Sequence, residues 1–256
     1  MKKTFARLII NLLVSDWLQS LGFMMSYYWI VKGKIVEGTW CNVQGAIINL
    51  GDVASGFWAT SICLHTFFSV IKGYEPRNYL EISMAIIWPL NVFISLIGFV
   101  IQNRLHGNSY SFYGSAGGSW CWINQEFNEY RVILHYGIVT ILASIMIFLY
   151  GWMLLVIHRQ QQEIAVIKFE ETRKILQKTR KKFIYYPVVY LVLVLPLALE
   201  RYLAISGITL PFTYLIVAGC IFASAGTVNA AIYGFTRNLV SINSFLVFLK
   251  IGEEKG

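Results

Sequence analysis

The chain has 256 residues, of which 57% are apolar, 16% aromatic and only 13% charged, with a mean hydropathy of +0.59 and a net charge of +8. A soluble domain carries roughly 25% charged residues, so the composition excludes a disordered chain, a nucleic-acid-binding domain and an ordinary cytosolic enzyme, none of which keeps so much apolar surface in water with so few charges. What remains is an all-α membrane protein forming a single transmembrane domain over 1–256; at about 20 apolar residues per span, the length allows roughly six or seven spans.

In chain order, apolar runs long enough to cross a bilayer fall at about 8–31, 41–71, 79–101, 131–157, 183–204 and 210–235. Strand alternation is absent, and runs of this length predict helices rather than a β-barrel. The opening MKKTFARLIINLLV has the basic start of a signal peptide, but Asp16 falls where the apolar core of one belongs, so cleavage is not expected. Between the third and fourth runs, 102–130 is rich in Asn, Ser, Gly and Trp and predicts an irregular extracellular loop. Between the fourth and fifth, 158–182 mixes good helix formers with charge, which predicts helices continuing into a cytoplasmic loop. Residues 236–256 form a cytoplasmic tail.

An amino terminus in the cytoplasm places all of the 21 basic residues except Lys32, Lys34, Arg104, Arg131 and Arg201 on the cytoplasmic side. That bias is the positive-inside pattern, and six spans return the carboxyl terminus to the same face. The basic total is thereby explained by topology, with no nucleic-acid binding invoked. In this orientation, that of a multi-pass protein of the plasma membrane, Cys41 and Cys121 both face an oxidising compartment, and a disulfide between them is the favoured reading, with two unpaired thiols as the alternative. Cys63 and Cys220 sit inside apolar runs and read as small core residues. No clustered ligands for a metal and no nucleophile with its base occur, so neither a cofactor nor an enzymatic activity is expected.

Ionisable groups in hydrocarbon cost a few kcal/mol and should face the bundle interior or water. Asp52 lies eleven residues beyond Cys41, about 16 Å down a helix, and spacing keeps Gln44, Asn49 and Asp52 broadly on one side. These three are candidates for ligand contact or, alternatively, for interhelical adhesion. Glu200 and Arg201 read as a local pair or as contacts to the loop, whose Trp120 and Trp122 read equally as interfacial residues. Arg131 and Arg201 are the cations to consider for an anionic ligand. The cluster Arg180, Lys181, Lys182 is either a docking surface or a topology signal against anionic lipid.

Several of these features occur together: Ser15-Asp16 in the first run, Cys41 heading the second, Trp88 in the third, Cys121 in the loop, prolines in the fifth, and Asn229-Ala-Ala-Ile-Tyr233 in the last. The set resembles the G-protein-coupled receptor framework from its second transmembrane helix onward. More specifically, CNVQGAIINLGDVASGFWATSICLHTFFSVIKG with SFYGSAGGSWCWI resembles the slime-mould cAMP receptors and the related fungal cAMP-receptor-like and nutrient-sensing receptors. The resemblance implies that the six helices match helices two to seven of a seven-helix bundle, apparently without the first. It makes Asn11, Asp16, Asn229 and Tyr233 a polar core switch, and Gln44, Asn49, Asp52, Trp120, Trp122, Arg131, Glu200 and Arg201 the ligand-binding candidates. It assigns His65, Thr66, Arg180, Lys181 and Lys182 to coupling with a heterotrimeric G protein. Leu64-His65-Thr66-Phe67 stands where the coupling motif normally has an arginine, and Ala230 where a proline is usual. The function implied is sensing of an extracellular small molecule and activation of a G protein. A six-helix transporter or channel, or a truncated non-signalling receptor form, is the competing reading.

Overall fold

The computed structural model describes residues 2–72, 74, 76–105, 110–115, 120–166, 189, 192–204 and 206–236. Among them five helical segments are long and apolar enough to cross a membrane: Thr4–Lys32, Thr39–Phe67, Tyr79–Arg104, Gln125–Val156 and Phe212–Ile232. In hydrocarbon each backbone polar group must be satisfied within its own segment, which leaves the helix as the form these runs can take. Of the expected fifth run, 189 and 192–204 are described; 192–204 is helical and labelled α7 here.

The first run forms α1 (Lys2–Met24) and a short α2 (Tyr27–Lys32), which ends on Gly33 at φ 70°, its N–H returning to the Ile30 carbonyl. A left-handed residue at this position is the common glycine stop. The second run forms α3 (Thr39–Phe67), extended by a π-helical turn over Phe68–Lys72. Two thirds of its apolar window, 67%, is buried, against 22–39% in the other four spans, so α3 is the central post. Its sequence explains this: Gly45, Gly51, Ala54, Ser55, Gly56 and Ala59 are small enough to let neighbouring backbones approach. At Gly51 an added Cβ would lie 2.5 Å from the Gln19 backbone nitrogen, so α1 and α3 pack there with no room for a side chain.

Beyond α4 (Tyr79–Leu105), the structure departs from the expected irregular loop over 102–130. Helix α4 runs on to Leu105, β1 (Tyr113–Ser115) pairs antiparallel with β2 (Cys121–Ile123), and helical turns resume at Gln125–Phe127 and α5 (Asn128–Arg131). The hairpin is not a surface ribbon. Phe112, Tyr113, Trp120, Trp122, Ile123 and Phe127 join Ile48, Tyr136 and Leu215 in one core cluster, so the loop folds into the bundle as a plug. Its aromatic richness, read as interfacial, is the reason: such surface is more stable packed than solvated.

A π-helical turn over Val132–Tyr136 leads into α6 (Gly137–Val166), the extension expected past residue 158 being described as far as Val166. The last run is broken at Ser224 into α8 (Phe212–Ala223) and α9 (Ala225–Thr236). Helix α3 packs against α1, α4, α6 and both strands, while α1 also meets α8 and α9. Toward the end opposite the hairpin, Leu8, Ile9, Leu12, Trp58, Ile62, Leu80 and Ile87 fill the space between α1, α3 and α4. Cys63 is buried, as expected, but Cys220 is exposed on α8, a correction to its reading as a core residue.

Candidate functional site

The hairpin is fastened to the bundle at two adjacent points. A disulfide joins Cys41, in the first turn of α3, to Cys121 on β2. One turn below, the Gln44 side chain accepts from Trp29 Nε1 at 2.6 Å and from the Cys121 backbone N–H at 3.0 Å, and donates to the Gly22 carbonyl at 3.0 Å and to Ser26 Oγ at 2.8 Å. An amide has two donors and room for two acceptor bonds, so Gln44 is fully committed to holding α1, α2, α3 and the hairpin together. Ligand contact, one of its two expected roles, has no free valence to use. Packing completes the seat: Tyr113 lies where a Cβ on Gly45 would be, 2.6 Å away, and donates from its hydroxyl to the Ser95 carbonyl at 2.7 Å. Burial pushes its phenol above the ordinary value, keeping the donor protonated.

Beneath the hairpin is a small cavity of about 30 Å³ lined by Phe23, Ile48, Asp52, Trp120, Trp122, His135, Tyr136, Leu197 and Arg201. That is the volume of about one water molecule or one hydroxyl group. The π turn before α6 turns His135 and Tyr136 into it; such turns recur at functional sites because they re-aim side chains. His135 Nδ1 lies 3.0 Å from Asn49 Oδ1, and its Nε2 lies 3.9 Å from Asp52 Oδ2. The Trp122 ring meets His135 edge-on at 4.8 Å. Arg201 pairs with Glu200 at 3.2 Å and lies over Trp120 and Trp122 at 5.5 and 5.8 Å. Two buried polar atoms among the cavity-lining residues, Asp52 Oδ1 and Trp122 Nε1, have no hydrogen-bond partner among the described residues. Asp52 thus keeps an unmet acceptor and Trp122 an unmet donor, groups of the kind that a polar ligand atom satisfies.

Arg131 stands apart from this set. Its Nε and Nη2 both donate to the Ile123 carbonyl, at 2.9 and 2.6 Å, and its guanidinium lies over Trp122 at 5.4 Å. It braces the hairpin from α5 and does not line the cavity.

One turn further along α3, Ser55 donates to Asp16 Oδ1 at 2.6 Å, and Asn229 on α9 donates to Asp16 Oδ2 at 2.8 Å. Asp16, fully buried, thus ties α1, α3 and α9 in one knot. Asn11 is not part of it: its Oδ1 accepts from Trp88 Nε1 at 2.9 Å, and its Nδ2 donates to the Arg7 carbonyl at 2.9 Å. Tyr233 belongs to α9, but its side chain lies outside the described residues.

At the far end of α3, His65 is buried between the rings of Phe5 and Tyr79, with centroids 6.3 and 5.3 Å away. Thr66 donates to the Ile62 carbonyl at 2.7 Å. Arg180, Lys181 and Lys182, together with the tail beyond 236, lie outside the described residues. Two members of these clusters escaped sequence reasoning. His135 is a lone histidine in an apolar run, and Ser55 is one small residue among many on α3; the only available signal was their register with Asn49, Asp52 and Asp16.

A central post, a disulfide-fastened plug at one end and a buried aspartate–asparagine knot below it define a receptor-type helical bundle. The chain belongs to the seven transmembrane receptor (rhodopsin family), whose family model matches residues 1–233. It is 29% identical over 150 residues to a curated fungal protein, the ascaroside receptor GPR2 of Arthrobotrys oligospora. That match covers 56% of this chain and 36% of the relative, so the chain spans little more than a third of the relative's length.

Proposed function

We propose that this protein is a G-protein-coupled receptor for an extracellular small molecule, of the cAMP-receptor-like type that residues 41–73 and 111–123 resemble. The observation that carries the reading is the placement of two polar clusters on one helix. The cavity with Asp52 and His135 lies one turn of α3 from the Asp16–Ser55–Asn229 knot, so occupancy of the first bears on a helix that the second ties to α1 and α9. Ligand shifts such a bundle only by binding one arrangement better than another.

In this reading α1, α3, α4, α6, α7 and α8–α9 correspond to helices two to seven of the receptor fold. The hairpin faces outward, both described ends of the bundle's chain lie on the cytoplasmic side, and the basic residues gather there. Asp52, Trp120, Trp122, Glu200 and Arg201 contact the ligand, while Gln44 and Arg131 hold the lid under which it sits. The opposite face, with His65, Thr66, Arg180, Lys181 and Lys182, receives the G protein through charge complementarity and apolar anchors. The relative from Arthrobotrys is by name a receptor for an ascaroside, which supports a small organic ligand.

The test is nucleotide exchange on a heterotrimeric G protein co-reconstituted with the receptor, screened against nucleotides, sugars and amphiphilic acids. Ligand-dependent exchange that loses at least tenfold in potency in Asp52→Asn is the expected result. Solute flux into vesicles with no exchange under any condition would replace the receptor reading with a transporter.

A further inference from the structure

The turn that aims His135 and Tyr136 into the cavity depends on one glycine. Over Val132–Tyr136 the helix takes up one residue more than an α-helical turn does, and the Gly137 N–H closes it on the Val132 carbonyl, five residues back. A Cβ on Gly137 would lie 2.7 Å from that same carbonyl oxygen, and the next nearest atoms, at 3.6 and 4.0 Å, also belong to Val132. Among the described residues, then, no neighbouring element excludes a side chain at this position; the π turn alone does. Glycine is the poorest helix former short of proline, so it is the π turn and not the helix that calls for it.

What an α-helical turn would do here follows from counting. The hairpin end of the helix is held, because Arg131 donates twice to the Ile123 carbonyl and Cys121 of the same strand is bonded to Cys41. With that end fixed, giving up the surplus residue moves every residue from Gly137 onward one place along the helix, an advance of about 1.5 Å with a rotation of about 100°. The buried face of α6 carries Leu142, Met146, Leu149 and Met153. After the step their places go to Ile141, Ile145, Phe148 and Trp152, all exposed in the π form. These four are apolar, so none of the exchanges buries a polar group, while Phe148 and Trp152 are larger than the residues they replace. The added bulk falls at the end of α6 away from the hairpin, where Met146, Leu149, Tyr150 and Met153 cluster with Cys63 of α3.

Two contacts hold the π form. The Tyr202 hydroxyl on α7 is bonded to Thr140 Oγ1 and lies 3.4 Å from the Tyr136 carbonyl, and His135 Nδ1 meets Asn49 Oδ1 at 3.0 Å. The step undoes both: Val139, which has no hydroxyl, takes the place of Thr140, and His135 loses its aim at Asn49. We propose that this turn is a two-state register switch. A molecule in the cavity that displaces His135 from Asn49 drives the turn to its α form, and α6 carries the step to the face that receives the G protein. The switch rests on the receptor reading for its purpose, and on the Gly137–Val132 contact for its existence.

Cys63 measures the step without a ligand or a G protein. Its sulfur is hydrogen-bonded to the Tyr150 hydroxyl, so Tyr150→Cys sets a second thiol opposite it in the π form, and Leu149→Cys does so in the α form. In the purified full chain carrying Cys220→Ser, oxidation with copper-phenanthroline and peptide mass spectrometry give the yield of each disulfide. Tyr150→Cys should bond to Cys63 at least threefold more than Leu149→Cys does, and Gly137→Ala should reverse that order. Deleting Ile133, an exposed residue of the turn, alongside Gly137→Ala should restore it, because the surplus residue is gone and nothing has to step. Tyr202→Phe adds no atom, and should move the ratio at least twofold in the direction of Gly137→Ala; it decides alone if Gly137→Ala fails to fold. An order unmoved by these substitutions overturns the proposal. So does an order that stays reversed after the deletion, since Gly137 would then act through packing and not through register. Nucleotide exchange on the same variants separates the two readings: reversal with unchanged exchange refutes the coupling and leaves the switch, while altered exchange without reversal overturns the switch and leaves the receptor.

Discussion

Gln44 shows how a single side chain decides the geometry of a site it does not enter. Its four hydrogen bonds reach α1, α2 and the hairpin, and replacing it leaves the buried Trp29 Nε1 and the Cys121 N–H without acceptors. Gln44→Leu should lower stability by about 2–4 kcal/mol, since each bond contributes roughly 1 kcal/mol net and an orphaned group costs more; the melting midpoint of the detergent-solubilised protein measures it, and an unchanged midpoint would refute the clamp. The spacing of Gln44, Asn49 and Asp52 made all three visible as a polar face, but spacing does not reveal which partners saturate each one. Gln44 proved a fastener, Asp52 kept an unmet oxygen, and His135, which completes the set, carried no local mark among its apolar neighbours. Asp16 and Asn229 stand 213 residues apart, and only the resemblance to a receptor framework linked them in the sequence. A double-mutant cycle of Asp16→Ala with Asn229→Ala should return a coupling of about 0.6–1.7 kcal/mol, the range for hydrogen bonds between membrane helices. Additive effects would mean the bond is not made.

At the level of elements, the helices were legible because hydrocarbon leaves apolar runs one conformation, and the limits of the second and third runs came close to those of α3 and α4, while those of α1 and α6 differ from their runs by six to nine residues at each end. The breaks were not. The turn at Met25–Ser26, the π turn at Val132–Tyr136 and the break at Ser224 each fall inside one apolar run, and apolarity alone carries no mark of where a helix breaks. The hairpin was hidden for a related reason. Gly, Ser and Asn around it read as irregular loop, and its short strands take their stability from burial against Ile48, Tyr136 and Leu215. Two glycines in helices distinguish packing from propensity. Gly45→Ala drives a methyl into the Tyr113 ring and should destabilise by about 1–3 kcal/mol, whereas Gly151 on α6 has open space around it, so Gly151→Ala should be neutral or stabilising by about 0.5–1 kcal/mol. Thermal unfolding of the two variants side by side tests this; equal shifts would mean that the hairpin is not seated on α3.

Across the whole molecule, the opening composition argument and the fold agree on what the charges do. With 13% charged residues, most of the buried ones are engaged at defined joints: Asp16 between α1, α3 and α9, Arg131 between α5 and β2, Glu200 with Arg201 at the pocket. Each removes a charge or dipole from hydrocarbon by giving it a partner, on another element for Asp16 and Arg131 and within α7 for Glu200 and Arg201. Asp52 is the exception, with one oxygen unmatched, and a buried acceptor left open is where binding has most to gain.

The bond between Cys41 and Cys121, 80 positions apart, closes a ring that contains α3 from Cys41 onward, all of α4 and the first strand of the hairpin. A protease that cuts once inside this ring opens it without releasing a fragment. The cut protein should migrate as one chain on a gel until a reductant is added, and as two afterwards. A bundle built this way tolerates a nick within the ring and still holds its central helix to its hairpin.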